Sequence, residues 1–265
     1  LLLLCIAIFS SEIEARDDEQ LPSSGSFFDT FTNGQIRALL RYSGQRRNSS
    51  LHVLQDSSSP DVPDENLQAY SAFGGLLGYE TAPWRHTTVG ATVYVALPFF
   101  SNPDERRGLG GLYEADGGQD AYAALGEMFI KYQINDHLVK IGRQEMPNYR
   151  MVSLSNIRFS PVTHSGAVYE NTVIENLGIN LGYIMTMKER NDTKFIDMAR
   201  GARVYESSNG KQLIRGDYDE LDYDPGGYIG DSKEMTMLGL TYTGENYSLD
   251  AWNYYVKDFV NSLYL

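Results

Sequence analysis

The sequence predicts an all-β protein, an antiparallel up-and-down β-barrel that crosses a membrane, with about nine strands in this chain. Three observations predict this fold. Segments of about ten residues alternate apolar and polar side chains, and long and short connections alternate between them. No internal segment approaches the ~18 consecutive apolar residues of a membrane-spanning helix. The abundant Tyr (19) and Gly (25) also favour strands and tight turns over helices.

Alternation of side chains marks each predicted strand. The first runs over 33–43, where Ile36 and Leu40 face one way and Arg37 and Arg41 face the other. The clearest alternation is in 88–97, which places Val and Leu opposite Thr and Tyr. The other predicted strands are 68–81, 126–134, 137–144, 165–172, 176–187, 234–243 and 247–258.

The lengths of the connections separate a barrel from other all-β folds. The long connections are 44–67, 98–120, 146–164 and 188–233, and the short ones lie near 82–84, 135–136, 171–175 and 244–246. An up-and-down barrel with long loops at one rim and short turns at the other gives this order. A soluble β-sandwich has no reason to keep it. The last residues, 253–265, are expected to begin another loop.

Composition excludes several classes of function. The formal charge of −13 argues against a nucleic-acid binder, which presents a basic surface to phosphates. The single cysteine, Cys5, excludes a disulfide framework and a Cys-based zinc site. The four His lack metal-ligand spacing and no G-x-S-x-G motif occurs, so we expect neither an enzyme nor a cofactor.

The N-terminus resembles a secretory leader. Residues 1–9 are apolar and are followed by the small residues Ser10 and Ser11, as in the apolar region of a signal peptide. Cleavage after Ser11 and cleavage after Ala15 both remain open, and a buried N-terminal strand is the alternative. We therefore divide the chain into a signal peptide remnant at 1–15 and a barrel domain at 16–265.

Four segments together resemble OprD-like outer-membrane porins. They are GGLLGYETAPW (74–84), VKIGRQEMP (139–147), NIRFSPVTHSG (156–166) and WNYYVKDFVNSLYL (252–265), which occur in the family order. Barrels of this family have about eighteen strands, which implies that the chain supplies about half of one and lacks the C-terminal half. The resemblance also implies location in the outer membrane of a Gram-negative bacterium.

Strand parity assigns charged side chains to the interior of the barrel. If the apolar faces contact lipid, the opposite faces line a water-filled pore, where charge selects solutes. The residues on these faces are Arg37, Arg41, Glu80, Glu127, Lys131 and Lys140. For each of them, ordinary solvation or an ion pair within the barrel wall is the alternative.

The family resemblance implies a more specific role for the basic residues. Porins of this family carry a basic ladder that guides carboxylates past a narrow eyelet. The residues to which the resemblance extends this role are Arg37, Arg41, Lys131, Lys140, Arg143 and Arg158. Arg143 has the parity of Val139 and Ile141, so a position at the rim remains open for it.

Two loops carry further expectations. We expect 146–164 to fold inward as the constriction, bracketed by Pro147 and Pro161, with a plain surface loop as the alternative. Residues 217–224 carry five carboxylates but lack the Gly and Glu of an EF-hand loop. They are interpreted as a solvated external loop, and a defined calcium site is the second reading.

The predicted function is a passive, substrate-biased diffusion channel for small hydrophilic solutes or ions, including carboxylates and amino acids. The expected partners are those solutes, outer-membrane lipid and lipopolysaccharide, and, as the family resemblance implies, two further copies in a homotrimer. One rival is a surface-exposed structural or adhesive barrel without an open pore. The other is a soluble secreted β-sandwich that binds carbohydrate through its Tyr residues.

Overall fold

The architecture was analysed in a computed structural model of the chain. The residues that it describes are 10–13, 26–50, 65–101, 121–147, 149–150, 152, 158–190, 192–198, 234–257 and 260–265. Within these ranges, no helix combines the length and the apolar character needed to cross a membrane. The acidic segment 217–224 lies outside the described residues, so the two readings of it stay predictions.

The described residues form one short helix and a single twelve-stranded antiparallel sheet. The helix is α1 (Asp29–Thr32). The strands are β1 (Ser10–Ile13), β2 (Gln35–Ser50), β3 (Glu65–Glu80), β4 (Thr87–Ser101), β5 (Tyr122–Ile134), β6 (His137–Gln144), β7 (Thr163–Asn171), β8 (Leu177–Lys188), β9 (Ile196–Asp197), β10 (Met235–Thr243), β11 (Ser248–Val256) and β12 (Val260–Tyr264). Each strand pairs with its sequence neighbours, except that β9 pairs only with β8 and β10 takes the next place beside β8. This meander confirms the predicted up-and-down order.

Each predicted strand corresponds to an observed one, but the first hairpin is longer than predicted. β2 and β3 remain paired as far as Ser50 and Glu65, so much of the expected loop 44–67 is strand. The sequence of this extension, GQRRNSS, is polar on both faces. Where a strand carries polar residues at successive positions, no apolar alternation marks it, so the pattern did not reveal the extension.

The two ends of the sheet differ from expectation. β12 pairs with β11 from Val256 opposite Val260 to Trp252 opposite Tyr264, so the expectation that 253–265 begins a loop was wrong. At the other end, β1 pairs with β2, with Ser10 opposite Arg41. The rest of the predicted leader lies outside the described residues, and its role stays a prediction.

The short connections confirm the predicted turns. Asn135 and Asn176 have positive φ values of 49° and 65° in the connections after β5 and β7. Asn tolerates this left-handed conformation better than most residues, which suits it to a tight turn. The connection after β3 contains two residues with positive φ, Arg85 at 48° and His86 at 69°. These turns follow β3, β5 and β7, every second strand of the antiparallel meander, so they lie at the same end of the strands.

The two faces of the sheet have different environments. One carries exposed apolar side chains, among them Ile36, Leu40, Leu77, Ile130, Ile141 and Leu181. The other is covered by the described residues of the connection between β6 and β7 (residues 145–162, which we call loop 3), among them Met146, Tyr149 and Phe159. We call the covered face the inner face. The exposed apolar surface is the one that parity assigned to lipid.

We predict that Gly142→Ala destabilises the sheet. Gly142 in β6 has a φ of +124°, and a Cβ there would lie 2.2 Å from the carbonyl oxygen of Met128. Strain in the backbone and in this contact should lower the free energy of unfolding by roughly 1–3 kcal/mol. Urea unfolding of the refolded protein measures the change. Gly44→Ala is the control, because a Cβ at Gly44 meets its nearest atom at 3.5 Å. Equal losses in both variants would contradict the prediction.

Candidate functional site

The charged residues that parity grouped together share the inner face. Arg37, Thr92 and Glu127 are aligned across β2 to β5 through Gly78, and such cross-strand partners point to the same face. The same alignment places Lys131 opposite Lys140. Their contribution to a pore stays a prediction, but their common location follows from the strand register.

Two ion pairs neutralise part of the charge on the inner face of β2–β6, which we call the charged wall. Arg37 forms a salt bridge with Glu127, and Lys131 forms one with Glu80. Arg37 also donates to Thr92 Oγ1 at 3.3 Å. The Glu127 side chain is 5% exposed and that of Arg37 is 49% exposed, so the carboxylate depends on this guanidinium for its charge balance.

Lys140 has a different environment. Its Nζ lies 3.8 Å from the centroid of the Phe129 ring, a cation–π contact on the inner face. No carboxylate lies within salt-bridge distance of it in the part of the chain that the structure describes. Lys140 thus stands outside the two ion pairs that engage Arg37 and Lys131.

Glu145, the first residue of loop 3, lies beside Glu127, so that two carboxyl groups are neighbours here. Tyr94 donates its hydroxyl hydrogen to Glu145 Oε1 at 2.5 Å, and the Glu145 backbone N–H donates to Glu127 Oε1 at 3.2 Å. Burial, and next the neighbouring Glu127, raise the pKa of the Glu145 carboxyl above its usual range. Glu145 therefore holds the start of loop 3 against β4 and β5.

The return limb of loop 3 is held from β2. Arg41 donates from Nη1 to the carbonyl oxygen of Arg158 at 3.1 Å. Phe159 packs with Ala72, Ala96, Tyr122 and Ala124, over Gly74, where a Cβ would lie 2.6 Å from the Phe159 ring. Burial, and next the positive charge of Arg190, lower the pKa of Arg158. A second arginine, which sequence reasoning missed, therefore contributes to the potential at this limb.

The inner face of β7, β8, β10 and β11 is apolar, and we call it the apolar wall. Loop 3 inserts Met146 and Tyr149 into a buried cluster whose other members are Val168, Ile184, Met198, Met235, Met237, Trp252, Tyr254 and Val256. Tyr149 donates to Glu170 Oε1 at 2.9 Å, Arg150 pairs with Asp250, and Tyr254 donates to the Arg150 carbonyl oxygen. The described residues of loop 3 thus contact both the charged strands and the apolar cluster, which agrees with the expected inward fold of 146–164, while its role as the constriction stays a prediction.

Arg143 does not join the other basic residues. Its register partner in β5 is Met128, which is 57% exposed on the outer face. Its guanidinium lies 4.3 Å from the centroid of the Phe195 ring, and Nη1 donates to the Leu125 carbonyl oxygen at 3.3 Å. The assignment of Arg143 to the pore wall was therefore wrong, because its parity is that of Ile141 and not that of Lys140.

The sequence interpretation missed Tyr94 and Glu145 as members of the site. Tyr94 has the parity of Thr92 in the clearest predicted strand, so its face was available from the pattern. Glu145 follows the last residue of β6, where alternation ends and only the fold decides what a side chain contacts. No three His, Cys, Asp or Glu side chains in the described ranges form a group that could hold a metal.

Comparisons with known proteins agree with this geometry. A family model described as outer membrane porin, OprD family, matches residues 88–265. Pseudomonas aeruginosa OccK9 (OpdG) is 17% identical with a TM-score of 0.57, over 86% of this chain and 52% of that chain. Acinetobacter baumannii OccAB1 is 12% identical with a TM-score of 0.56, over 91% and 48% respectively. A search of curated proteins found no match. The chain spans about half the length of these solved porins.

We predict that Arg37→Met destabilises the barrel through the unpaired Glu127. A buried carboxylate without its counter-ion should cost roughly 1–3 kcal/mol, a value reduced here because Arg37 is half exposed. The double variant Arg37→Met/Glu127→Gln should recover part of this loss, as urea unfolding can measure. Arg150→Met is the matched control, since the Arg150–Asp250 pair is more exposed. A double variant no more stable than the single one would contradict the prediction.

We predict that Glu145→Gln gains stability relative to the native protein as the pH rises. Glu145 faces Glu127, Tyr94, Arg37 and Lys140, and its raised pKa means that the folded state binds its proton more tightly than the unfolded state. That stability is present at low pH and is lost as the pH rises through the raised pKa. Gln does not ionise, so the difference in unfolding free energy should grow as the pH rises above about 4, the ordinary pKa range of a Glu carboxyl.

Urea unfolding across this pH range measures the difference. Glu245→Gln is the control, because Glu245 is exposed in the turn before β11. A Glu145→Gln difference that is the same at every pH would show that the carboxyl is not held in its protonated form.

Proposed function

The chain belongs to the OprD family of outer membrane porins, and from this membership we propose that it forms part of a passive diffusion channel for small hydrophilic solutes. The channel would favour carboxylates and amino acids. Its action is passage rather than catalysis: fixed charges lower the barrier for a solute that moves through the pore.

One observation carries the proposal. The described residues of loop 3 lie on the inner face: Glu145 and Arg158 tie its two limbs to the charged wall, and Met146 and Tyr149 pack on the apolar wall. A segment in this position reduces the open section of a barrel. It would therefore bring a passing solute close to the inner-face charges, which a plain surface loop would not do.

The ion pairs indicate which cations would meet the solute. Arg37 and Lys131 are engaged by carboxylates, whereas Lys140 and the Arg158 guanidinium make no ion pair in the described part of the chain. We assign the attraction of carboxylates mainly to Lys140 and Arg158. A solved structure of Pseudomonas aeruginosa OpdK contains vanillate, which is itself a carboxylate.

The working channel requires more strands than the described sheet provides. An open sheet leaves unpaired backbone groups at its two edges, and such edges are not stable in lipid. We therefore propose that the sheet closes with the remaining strands of a complete barrel. Contact with lipid and lipopolysaccharide, a homotrimer, and removal of residues 1–15 as a leader remain predictions.

We predict that Lys140→Gln and Arg158→Gln each reduce the anion preference of the channel. The complete protein is reconstituted in a planar bilayer, and the reversal potential is measured in a salt gradient. Loss of an unpaired positive charge should move this potential toward cation selectivity. The control is Arg85→Gln, whose guanidinium lies over the Trp84 ring at the end of the strands with the short turns. If both variants conduct and neither changes the reversal potential, the assignment of the anion preference to these two residues is contradicted.

The same measurement separates the proposed channel from an adhesive barrel. A folded, heat-modifiable barrel that never conducts would overturn the channel proposal and favour a closed surface protein whose long loops bind a partner. A protein that fractionates with the periplasm without detergent would favour the soluble β-sandwich.

A further inference from the structure

Lys188, the last residue of β8, is a fully buried lysine at the return limb of loop 3. Its relative exposure is 0%, a rare value for this residue type. Its Nζ lies 2.6 Å from Ser160 Oγ, 2.8 Å from the Pro161 carbonyl oxygen and 2.9 Å from the Glu189 carbonyl oxygen. Each of the three ammonium hydrogens thus has an acceptor.

In the described ranges, these three hydrogen bonds are the contacts that directly stabilise the Lys188 ammonium. No carboxylate in the described ranges lies within salt-bridge distance of Nζ. The aliphatic stem lies beside Gly126, where a Cβ would be 3.5 Å from Lys188 Cε. A cation without an ion pair is costly to bury, so its replacement by an apolar side chain is not in itself unfavourable. What replacement would remove is the link to Ser160 and Pro161.

Lys188 also lies close to the residue that holds the other end of loop 3. Its Nζ is 6.0 Å from the centroid of the Tyr94 ring, and the Tyr94 hydroxyl donates to Glu145. Lys188 and Tyr94 together therefore connect β8, β4 and both limbs of the loop. Arg41 holds the return limb from the opposite side, through the Arg158 carbonyl oxygen.

We propose that Lys188 is a positioning residue that locks the return limb of loop 3 (residues 158–162) against the inner face and so fixes the open section of the pore. The effect on the pore rests on the proposed function, whereas the lock on the limb does not. Lys188 acts through the loop, and its buried ammonium does not meet the solute.

The first test measures the position of the limb without measuring current. Val162 is 4% exposed, so Val162→Cys, in the complete protein with Cys5→Ser, should react slowly with a water-soluble thiol reagent. Lys188→Met removes the ammonium that donates to Ser160 Oγ and to the Pro161 carbonyl oxygen, so the reaction should become about tenfold faster or more. Lys257→Met is the control, because Lys257 is exposed after β11.

The second test restores the ammonium chemically. Lys188→Cys, again with Cys5→Ser, is alkylated while unfolded in urea with either 2-bromoethylamine or 1-bromopropane, and is then refolded into bilayers. The two products have the same length and shape, but only the aminoethyl product carries an ammonium. The aminoethyl protein should give the steady single-channel current of the native protein, and the propyl protein should give larger current fluctuations or a higher conductance.

The outcomes separate the inference from the channel proposal. Folded Lys188→Met that labels at the native rate would overturn the lock, and so would equal currents from the two alkylated proteins. If Lys188→Met does not fold, labelling is measured on Ser160→Ala, which removes the side-chain acceptor that the limb offers to Lys188, and an unchanged rate there overturns the lock. A native protein that never conducts would refute the channel proposal, while the labelling rates would still decide the inference.

Discussion

The pairing of backbone hydrogen bonds is the constraint on which the rest of the structure depends. A strand in lipid would have to satisfy every N–H and C=O within the sheet. In the described residues, the antiparallel meander pairs each interior strand on both sides by joining neighbours in sequence. Pairing in strands imposes a side-chain period of two. Because apolar residues such as Leu40 and Ile130 occupy the outer positions, the positions between them can carry Arg37, Glu127 and Lys131.

This period explains how much of the fold could be predicted from the sequence. Parity alone located the strands and gave the face of Arg37 and Lys140, because both depend only on residues next to each other in the chain. Parity gave no signal where successive residues are all polar, as in the extension of β2 to Ser50. For Arg143, parity predicted the correct face of the sheet. The error came from giving this residue the pore-lining role of the family although its parity is that of Ile141.

The rest of the candidate site could not be predicted, because it is made by contacts between distant segments. Parity tells which face a side chain occupies but not which residue meets it across the barrel. The contacts of Arg41 with the Arg158 carbonyl and of Lys188 with Ser160 follow from the path of loop 3. That path depends in turn on an apolar wall whose members, such as Trp252 and Met146, are more than a hundred residues apart.

The charge of a pore wall is therefore not the sum of its charged residues. The chain is acidic overall, with a net charge of −13, and its inner face carries several carboxylates. Two of these, Glu127 and Glu80, are engaged by Arg37 and Lys131, and the resulting pairs contribute little net field at a distance. Under the proposed function, the field that a solute meets would be set by the charges left outside such pairs, among them Lys140 and Arg158. An acidic protein can thus present a wall that attracts anions, because pairing, rather than composition, decides which charges remain.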